Sequence, residues 1–296
     1  MAMAIAIFFS IYGLSGSTIL YSSYGSGEIN KSPMFEYSII FFLIAMMMSN
    51  QEKKKKLIIL LFLLFFSIKS FLYGGRIEVI QIALVYAYVE RNLLLKENVF
   101  KIFIVLGMSF LIFKFVGELR TNPEMVRKII SLDFSDDIHY TNNNKILSTN
   151  ASDVTQATTR MIGMVDDGEI TLSYSIKSFF SYIFNLPLIL NTELSSYQNL
   201  AAYKKNIYNS GGGGLIVGYF YVWMGIIGPI FIGLFIGCIT RWLYQMNNIY
   251  LNIYSLFVMV SFPRWFAYGP VILVKFCLVG VIYVFIFNVI RNIGKK

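Results

Sequence analysis

The feature that most limits what this chain can become is its repeated supply of apolar stretches. A membrane-spanning helix needs about 20 mostly apolar residues. Stretches at roughly 1–21, 34–49, 57–73, 77–90, 99–117, 214–238, 249–263 and 270–290 meet or approach that length. Two are short, and a short span stands nearly upright or leans on its neighbours. Composition agrees: of 296 residues, 56% are hydrophobic and only 14% charged, with a mean hydropathy of +0.63. A water-soluble domain carries about 25% charged residues. In lipid, every backbone polar group must be satisfied within the protein, so spanning segments form helices or closed barrels. The expected fold is an all-α integral membrane protein of about eight transmembrane helices.

Basic residues set the orientation, because cytoplasmic loops are enriched in Lys and Arg. Lys53, Lys54, Lys55 and Lys56 lie between the second and third stretches, and Arg91, Lys96 and Lys101 between the fourth and fifth. Arg241 follows the sixth, and Arg291, Lys295 and Lys296 close the chain. With eight spans these groups share one side, which is then cytoplasmic along with both termini. The expected organisation is five transmembrane helices in 1–117, a large external loop in 118–213, and three more helices in 214–296. The opening "MAMAIAIFFSIYGLSGS" lacks the basic n-region of a signal peptide and reads as a retained helix. The net charge of +9 consists mostly of anchors facing anionic lipid, not of a nucleic-acid surface. Cys238 and Cys277 fall in apolar stretches, which implies neither a disulfide framework nor a zinc site.

The segment 118–213 is the one part without membrane character. It holds Asp133, Asp136, Asp137, Asp153, Asp166 and Asp167, all the aspartates of the chain, and its single histidine, His139. Loops of such length are functional or disordered. Its first part, "SLDFSDDIHYTNNNKILSTNASDVTQATTR", predicts partly ordered short helices and loops. The later "TLSYSIKSFFSYIFNLPLILN" predicts an interfacial or re-entrant helix ending near Pro187. Candidates for a general base are Glu118, His139, Asp166, Asp167 and Glu169, and spacing alone does not choose among them. The Asp-x-Asp pair of metal-dependent sugar-nucleotide transferases is missing, as is any Cys/His cluster. A transfer reaction would work by positioning and by stabilising a leaving phosphate.

Several cations lie toward the outer side, against the positive-inside bias: Lys69, Lys114, Lys275, Arg76 in "YGGRIE", Arg120 in "GELRTNP" and Arg264 in "SFPRWFAYGP". Either they form a pocket for an anionic lipid head group, whose phosphates suit the arginine fork, or lysines snorkel and arginines pair with Glu78 or Glu118. The run "YNSGGGGLIVGYFYVWMGIIGPIFIGLFIG" opens the sixth stretch with Gly211, Gly212, Gly213 and Gly214. Bare backbone at a helix N-terminus offers amides to an anion; equally, it makes a flexible joint. Gly218, Gly225, Gly228, Gly233 and Gly237 then thin the helix for close packing. The Lys-Ser/Thr ending of a nucleotide-binding loop is absent.

In order, a GGR at a helix start, a long external loop and a glycine run leading into Gly-x-x-Gly resemble the O-antigen polymerases, the Wzy-type oligosaccharide repeat-unit polymerases. "GGGGLIVGYFYVWMGIIGPIFIGLFIG" is similar to that family's glycines, aromatic and Gly-x-x-Gly, and "SYIFNLPLILN" to its Tyr-containing segment that runs to a proline. The resemblance covers roughly 57–290. It implies a metal-independent, cofactor-free glycosyltransferase of C-type architecture. Its substrates would be undecaprenyl-diphosphate-linked glycans, donor and acceptor, joined at the periplasmic face of the inner membrane. It further implies a chain-length regulator and a flippase as partners. Arg76 matches the family's arginine after the glycine pair, Arg120 and Arg160 correspond to loop arginines, and Arg264, Lys275, Gly211, Gly212, Gly213 and Tyr219 complete the implied diphosphate and substrate site. Family members usually have ten or more spans, and their arginine–ten residues–glycine spacing is not met here. A flippase for the same lipid-linked unit is the alternative, though paired repeats and midplane charges are not visible. A membrane acyltransferase is a third possibility, but its usual buried helix histidine is lacking.

Overall fold

Apolar runs separated by short polar joints form helices almost throughout the described chain. The computed structural model describes residues 1–16, 29–49, 52–73, 76–89, 150–183, 200, 213–245 and 247–293. The chain divides into two compact units, Met1–Asn142 and Asn143–Lys296.

In the first unit α1 is Ala2–Tyr12, β1 Leu14–Gly16, β2 Ile29–Lys31, α2 Pro33–Met48, α3 Lys53–Leu72 and α4 Arg76–Val89. The two strands pair antiparallel, with Leu14 opposite Lys31. This corrects the expectation of one span over 1–21. The helix stops after 11 residues, about 16 Å at 1.5 Å per residue. It stops because Gly13 lies against the next helix: a methyl there would come within 2.6 Å of the Phe35 nitrogen. The Ser32 amide donates to the Gly13 carbonyl at 2.8 Å. Ser32 then caps α2, accepting from the Met34 amide at 3.2 Å with Pro33 in the first turn.

Helix α2 is buried almost all round, and its Phe35 stacks on Phe66 of α3 at 4.4 Å. Helix α3 buries a single stripe, Ile59, Leu63, Phe66 and Ser70, and leaves Leu57, Leu61, Leu64, Phe65 and Ile68 exposed. In α4 the carboxylate of Glu78 is buried and accepts from Ser70 Oγ at 3.4 Å.

In the second unit α5 is Asn150–Asp166, α6 Leu172–Ile183, α7 Ile216–Met224, α8 Ile227–Gln245, α9 Ile249–Val260 and α10 Phe262–Tyr268. A π-helical stretch, Leu273–Leu278, runs on into α11, Val279–Ile293. Helix α5 forms because Val154, Ala157, Thr158, Met161 and Met164 fall on one face, and all five are buried. Met161 and Met164 join Ile170, Tyr182, Leu200, Tyr219 and Val222 in the core. Farther along, Trp265 Nε1 donates to the Val258 carbonyl at 2.7 Å, and Ser261 Oγ lies 3.2 Å from Cys277 Sγ. These contacts tie α10 and the π-helical stretch to α9.

The sixth apolar stretch, expected as one helix over 214–238, is two. Gly225 takes φ +60° and ψ −144°, a conformation that L-residues rarely adopt, and the chain turns there. Helix α8 packs back so closely that a methyl at Gly228 would overlap the Phe220 carbonyl, while the Phe220 and Phe231 rings stack at 5.9 Å. Helix α9 fills most of the seventh stretch, and α10 takes up the 264–269 segment expected to face outward between spans. Among the described residues one helix, Leu273–Ile293, is long and apolar enough to cross a membrane. Met34–Met48, Ile77–Tyr88, Ile227–Leu243 and Ile249–Val260 are shorter apolar helices.

The two kinds of glycine on α8 separate experimentally. A methyl at Gly228 meets backbone, whereas Gly233 has nothing within 4 Å. Gly228→Ala is expected to cost on the order of 1–3 kcal/mol through overpacking. Gly233→Ala should be neutral or stabilising by up to about 1 kcal/mol from helix propensity. Thermal unfolding of the detergent-solubilised protein checks this: Gly228→Ala lowers Tm by several degrees and Gly233→Ala does not.

Candidate functional site

The start of α7 shows why its backbone is bare. A methyl at Gly213 would lie 2.6 Å from the Tyr268 carbonyl oxygen and 2.9 Å from its Cα. At Gly214 and Gly218 it would lie 2.8 Å from Met161 Cε, and at Gly218 also 2.9 Å from Thr158 Cγ2. Gly213 thus admits the backbone of α10, and Gly214 and Gly218 admit the face of α5. The amides are occupied as well. Leu215 N–H donates to Thr158 Oγ1 at 2.7 Å, and Thr158 Oγ1 donates to the Val154 carbonyl at 2.8 Å. The Gly214 N–H donates to the Tyr219 hydroxyl oxygen. Of the run read as an anion nest or a flexible joint, Gly213 and Gly214 serve helix packing, and the Gly214 and Leu215 amides have protein acceptors. Gly211 and Gly212 lie outside the described residues.

Tyr268 is where the sequence-derived residues meet. Its carbonyl accepts from the Tyr219 hydroxyl at 3.2 Å, its backbone faces Gly213, and its ring lies 5.9 Å from Arg264 Cζ. A carbonyl can only accept, so the Tyr219 proton is committed to it, and Tyr182 donates in turn to Tyr219. Burial, reinforced by the neighbouring Tyr219, pushes the Tyr182 hydroxyl well above its ordinary value, which keeps it a donor. Gly269, at φ +146°, ends α10 with Tyr219 Oη 3.4 Å from where its Cβ would stand. The guanidinium of Arg264 thus stands on a platform set by Tyr268, Tyr219 and Gly213. A cation over a ring at such a site contributes about 0.5–1 kcal/mol.

The acidic candidates are grouped elsewhere. Asp166, Asp167 and Glu169 are exposed in the turn after α5, which reverses through Gly168 at φ +75°. Asp166 Oδ1 accepts from the Tyr221 hydroxyl at 2.7 Å. Tyr219 and Tyr221 are two residues apart on α7, about 200° around a helix, so Asp166 and Tyr268 hold opposite faces of it. Arg160, half-buried, is likewise about 200° around α5 from Thr158. Lys275 is half-buried in the π-helical stretch.

In the first unit Arg76 is the first residue of α4. Lys69, one of the outward cations, donates to the Ser10 and Ile11 carbonyls at 2.9 and 2.7 Å. It closes the C-terminus of α1, whose last carbonyls lack helical partners, and this engages it within the protein. Glu118, Arg120 and His139 lie outside the described residues, as do Lys114 and Pro187.

Thr158, Tyr268, Trp223 and Ser178 were not singled out from the sequence. The buried stripe of α5 was the available signal for Thr158. No local pattern marks Tyr268, because its role comes from contacts with residues about 50 positions earlier. Trp223 Nε1 donates to Ser178 Oγ at 3.1 Å and holds α6 to α7.

Thr158→Val keeps the side-chain shape and removes the acceptor of Leu215 N–H. Leaving that amide unpaired is expected to cost about 1–3 kcal/mol. Thr158→Ser should retain most of the stability. Equal thermal stability of the two variants in detergent would show that the cap does not hold α7. The chain matches no protein-family model, no curated protein and no solved structure.

Proposed function

We propose that this chain joins undecaprenyl-diphosphate-linked oligosaccharide repeat units into O-antigen or a related surface polysaccharide. In this reading it is a multi-pass, metal-independent glycosyltransferase of the bacterial inner membrane. It has about eight spans in a C-type arrangement, both termini cytoplasmic, and its large loop in the periplasm. The observation that carries the reading is the meeting of Gly213, Tyr219 and Arg264 at Tyr268. Gly213 and Tyr219 belong to one segment and Arg264 to another about 50 residues later. The outward apolar side chains of α8 and α11, including Ile227, Ile230, Leu234, Phe285 and Ile290, suit a lipid surround.

The chemistry follows from the residue types. The planar fork of Arg264 suits two oxygens of a diphosphate, and Lys275 in the π-helical stretch is the second cation assigned to it. In the transfer, the bond from the donor's anomeric carbon to the phosphate oxygen breaks. A bond from that carbon to an acceptor hydroxyl oxygen forms, and the hydroxyl proton passes to a general base. Undecaprenyl diphosphate leaves with the bonding electrons. Asp166, Asp167 and Glu169 lie on the face of α7 away from Tyr268, with Asp166 accepting from Tyr221, so a base acting beside Arg264 would come from elsewhere in the external segment. His139 and Glu118 remain candidates for the same role. A chain-length regulator and a flippase are the protein partners this activity implies.

Deletion of the gene in the native host tests the class. A surface-polysaccharide ladder reduced to core plus one repeat is the expected result. Core without any repeat would mean that units never reach the outer face, which is the flippase outcome. In the complemented strain, Arg264→Ala at normal protein level is expected to shorten or abolish the ladder. Loss of a charged hydrogen-bonded contact worth about 1.5–3 kcal/mol corresponds to a decrease of roughly 10- to 100-fold in polymerising activity. Unchanged polymer in Arg264→Ala would remove the diphosphate role.

A further inference from the structure

We infer that α6 lies in the plane of the lipid–water interface with Leu172, Ile176 and Phe180 sunk into the lipid. This rests on the membrane reading above and assigns the surface by which the external segment would meet the bilayer. Helix α6 is arranged inside out for a helix facing water. Leu172 is 74% exposed, Ile176 47% and Phe180 46%, whereas Ser175, Ser178 and Ser181 are buried. The three apolar residues follow at i, i+4 and i+8 and fall within about 80° of arc. Ser173 and Lys177, also exposed, occupy the next part of the circumference. An apolar stripe bordered by a serine and a lysine is the pattern of a helix lying at a membrane surface, its lysine reaching the head groups.

The orientation is held from within. Ser178 Oγ accepts from Trp223 Nε1 at 3.1 Å, and Ser181 Oγ donates to the Ser178 carbonyl at 2.7 Å. Rolling α6 to hide its stripe would break the first of these. The stripe is also continuous with the outward face of α8. Phe180 and Phe179 are 5.7 Å apart, Phe179 and Trp223 5.4 Å, Trp223 and Phe220 5.1 Å, and Phe220 and Phe231 5.9 Å. This row of rings runs from exposed Phe180 to exposed Phe231, beside Ile227, Ile230 and Leu234, which are 63–67% exposed. Aromatic residues concentrate at membrane interfaces, where an apolar face meets water. A row linking α6 to α8 fits lipid as the occupant better than a separate protein partner seated on α6 alone.

The test uses the full chain in vesicles of phosphatidylethanolamine and phosphatidylglycerol, in a Cys238→Ser background that leaves only the buried Cys277. Single cysteines at Ile176→Cys, Phe180→Cys, Ser173→Cys and Ile230→Cys carry an environment-sensitive dye. Nitroxide-labelled lipids and aqueous iodide serve as quenchers. Shallow nitroxide lipid should quench positions 176 and 180 at least twofold more than 173, iodide should do the reverse, and 230 should be quenched by deep nitroxide lipid. Iodide quenching at 176 and 180 equal to that at 173, with 230 still lipid-quenched, overturns the interfacial placement and leaves the membrane reading intact. Protection of 176 and 180 from both quenchers means a second copy or another protein covers α6, and this also overturns it. Loss of lipid quenching at 230 removes the membrane reading itself and this inference with it.

Discussion

The second unit depends on backbone lying against backbone. Gly213 and Tyr268 come so close that no side chain fits between them, and the Tyr219 hydroxyl bonds the same Tyr268 carbonyl. Each contact needs the other. Without a glycine at 213 the chain could not approach, and without the tyrosine the carbonyl would be left without this donor at a cost of about 1–3 kcal/mol. Helix α5 adds a second constraint by placing Thr158 and Met161 against Gly214 and Gly218. The start of α7 is thereby set on two sides, and Arg264 inherits its position from that arrangement.

The corner at Gly225 decides what α7 and α8 each do. Before it, α7 is covered by α5 and α6 and contributes Ile216, Tyr219 and Val222 to a buried interior. After it, α8 presents Ile227, Ile230 and Leu234 outward. In the polymerase reading, the part of the sixth apolar stretch before Gly225 belongs to the folded external portion, and the bilayer begins near the corner. The acidic turn of Asp166, Asp167 and Glu169, fixed to α7 through Tyr221, is also near it. Arg264 and this turn hold different faces of α7, so a single transfer centre would not use both.

Much of the candidate site was legible as residue types. Gly213 stood out in a glycine run and Arg264 as an outward cation beside a proline, while Tyr219 is one of 20 tyrosines and was marked only by the resemblance. What they do was less legible. An anion nest and a packing surface require the same residue, since both need backbone without a Cβ. Only the positions of Met161, Thr158 and Tyr268 distinguish the two. Lys69 shows the same limit: the chain marks an outward lysine, while its acceptors, the carbonyls of Ser10 and Ile11, are about 60 residues away.

By itself the sequence determined that this chain is predominantly helical, that its apolar content is far above that of a soluble domain, and where its exceptional glycines and charges fall. These follow from local quantities, the length and hydropathy of each run and the backbone freedom of each residue. Where the helices break was decided by tertiary structure. The runs at 1–21 and 214–238 are continuous in hydropathy, yet the first ends where Gly13 meets Phe35 and the second turns at Gly225 so that Gly228 packs back on Phe220. Hydropathy measures transfer from water, which is nearly the same for a bent apolar segment and a straight one. The bend is chosen by which backbone atoms can touch, and that depends on how each helix packs on its neighbour.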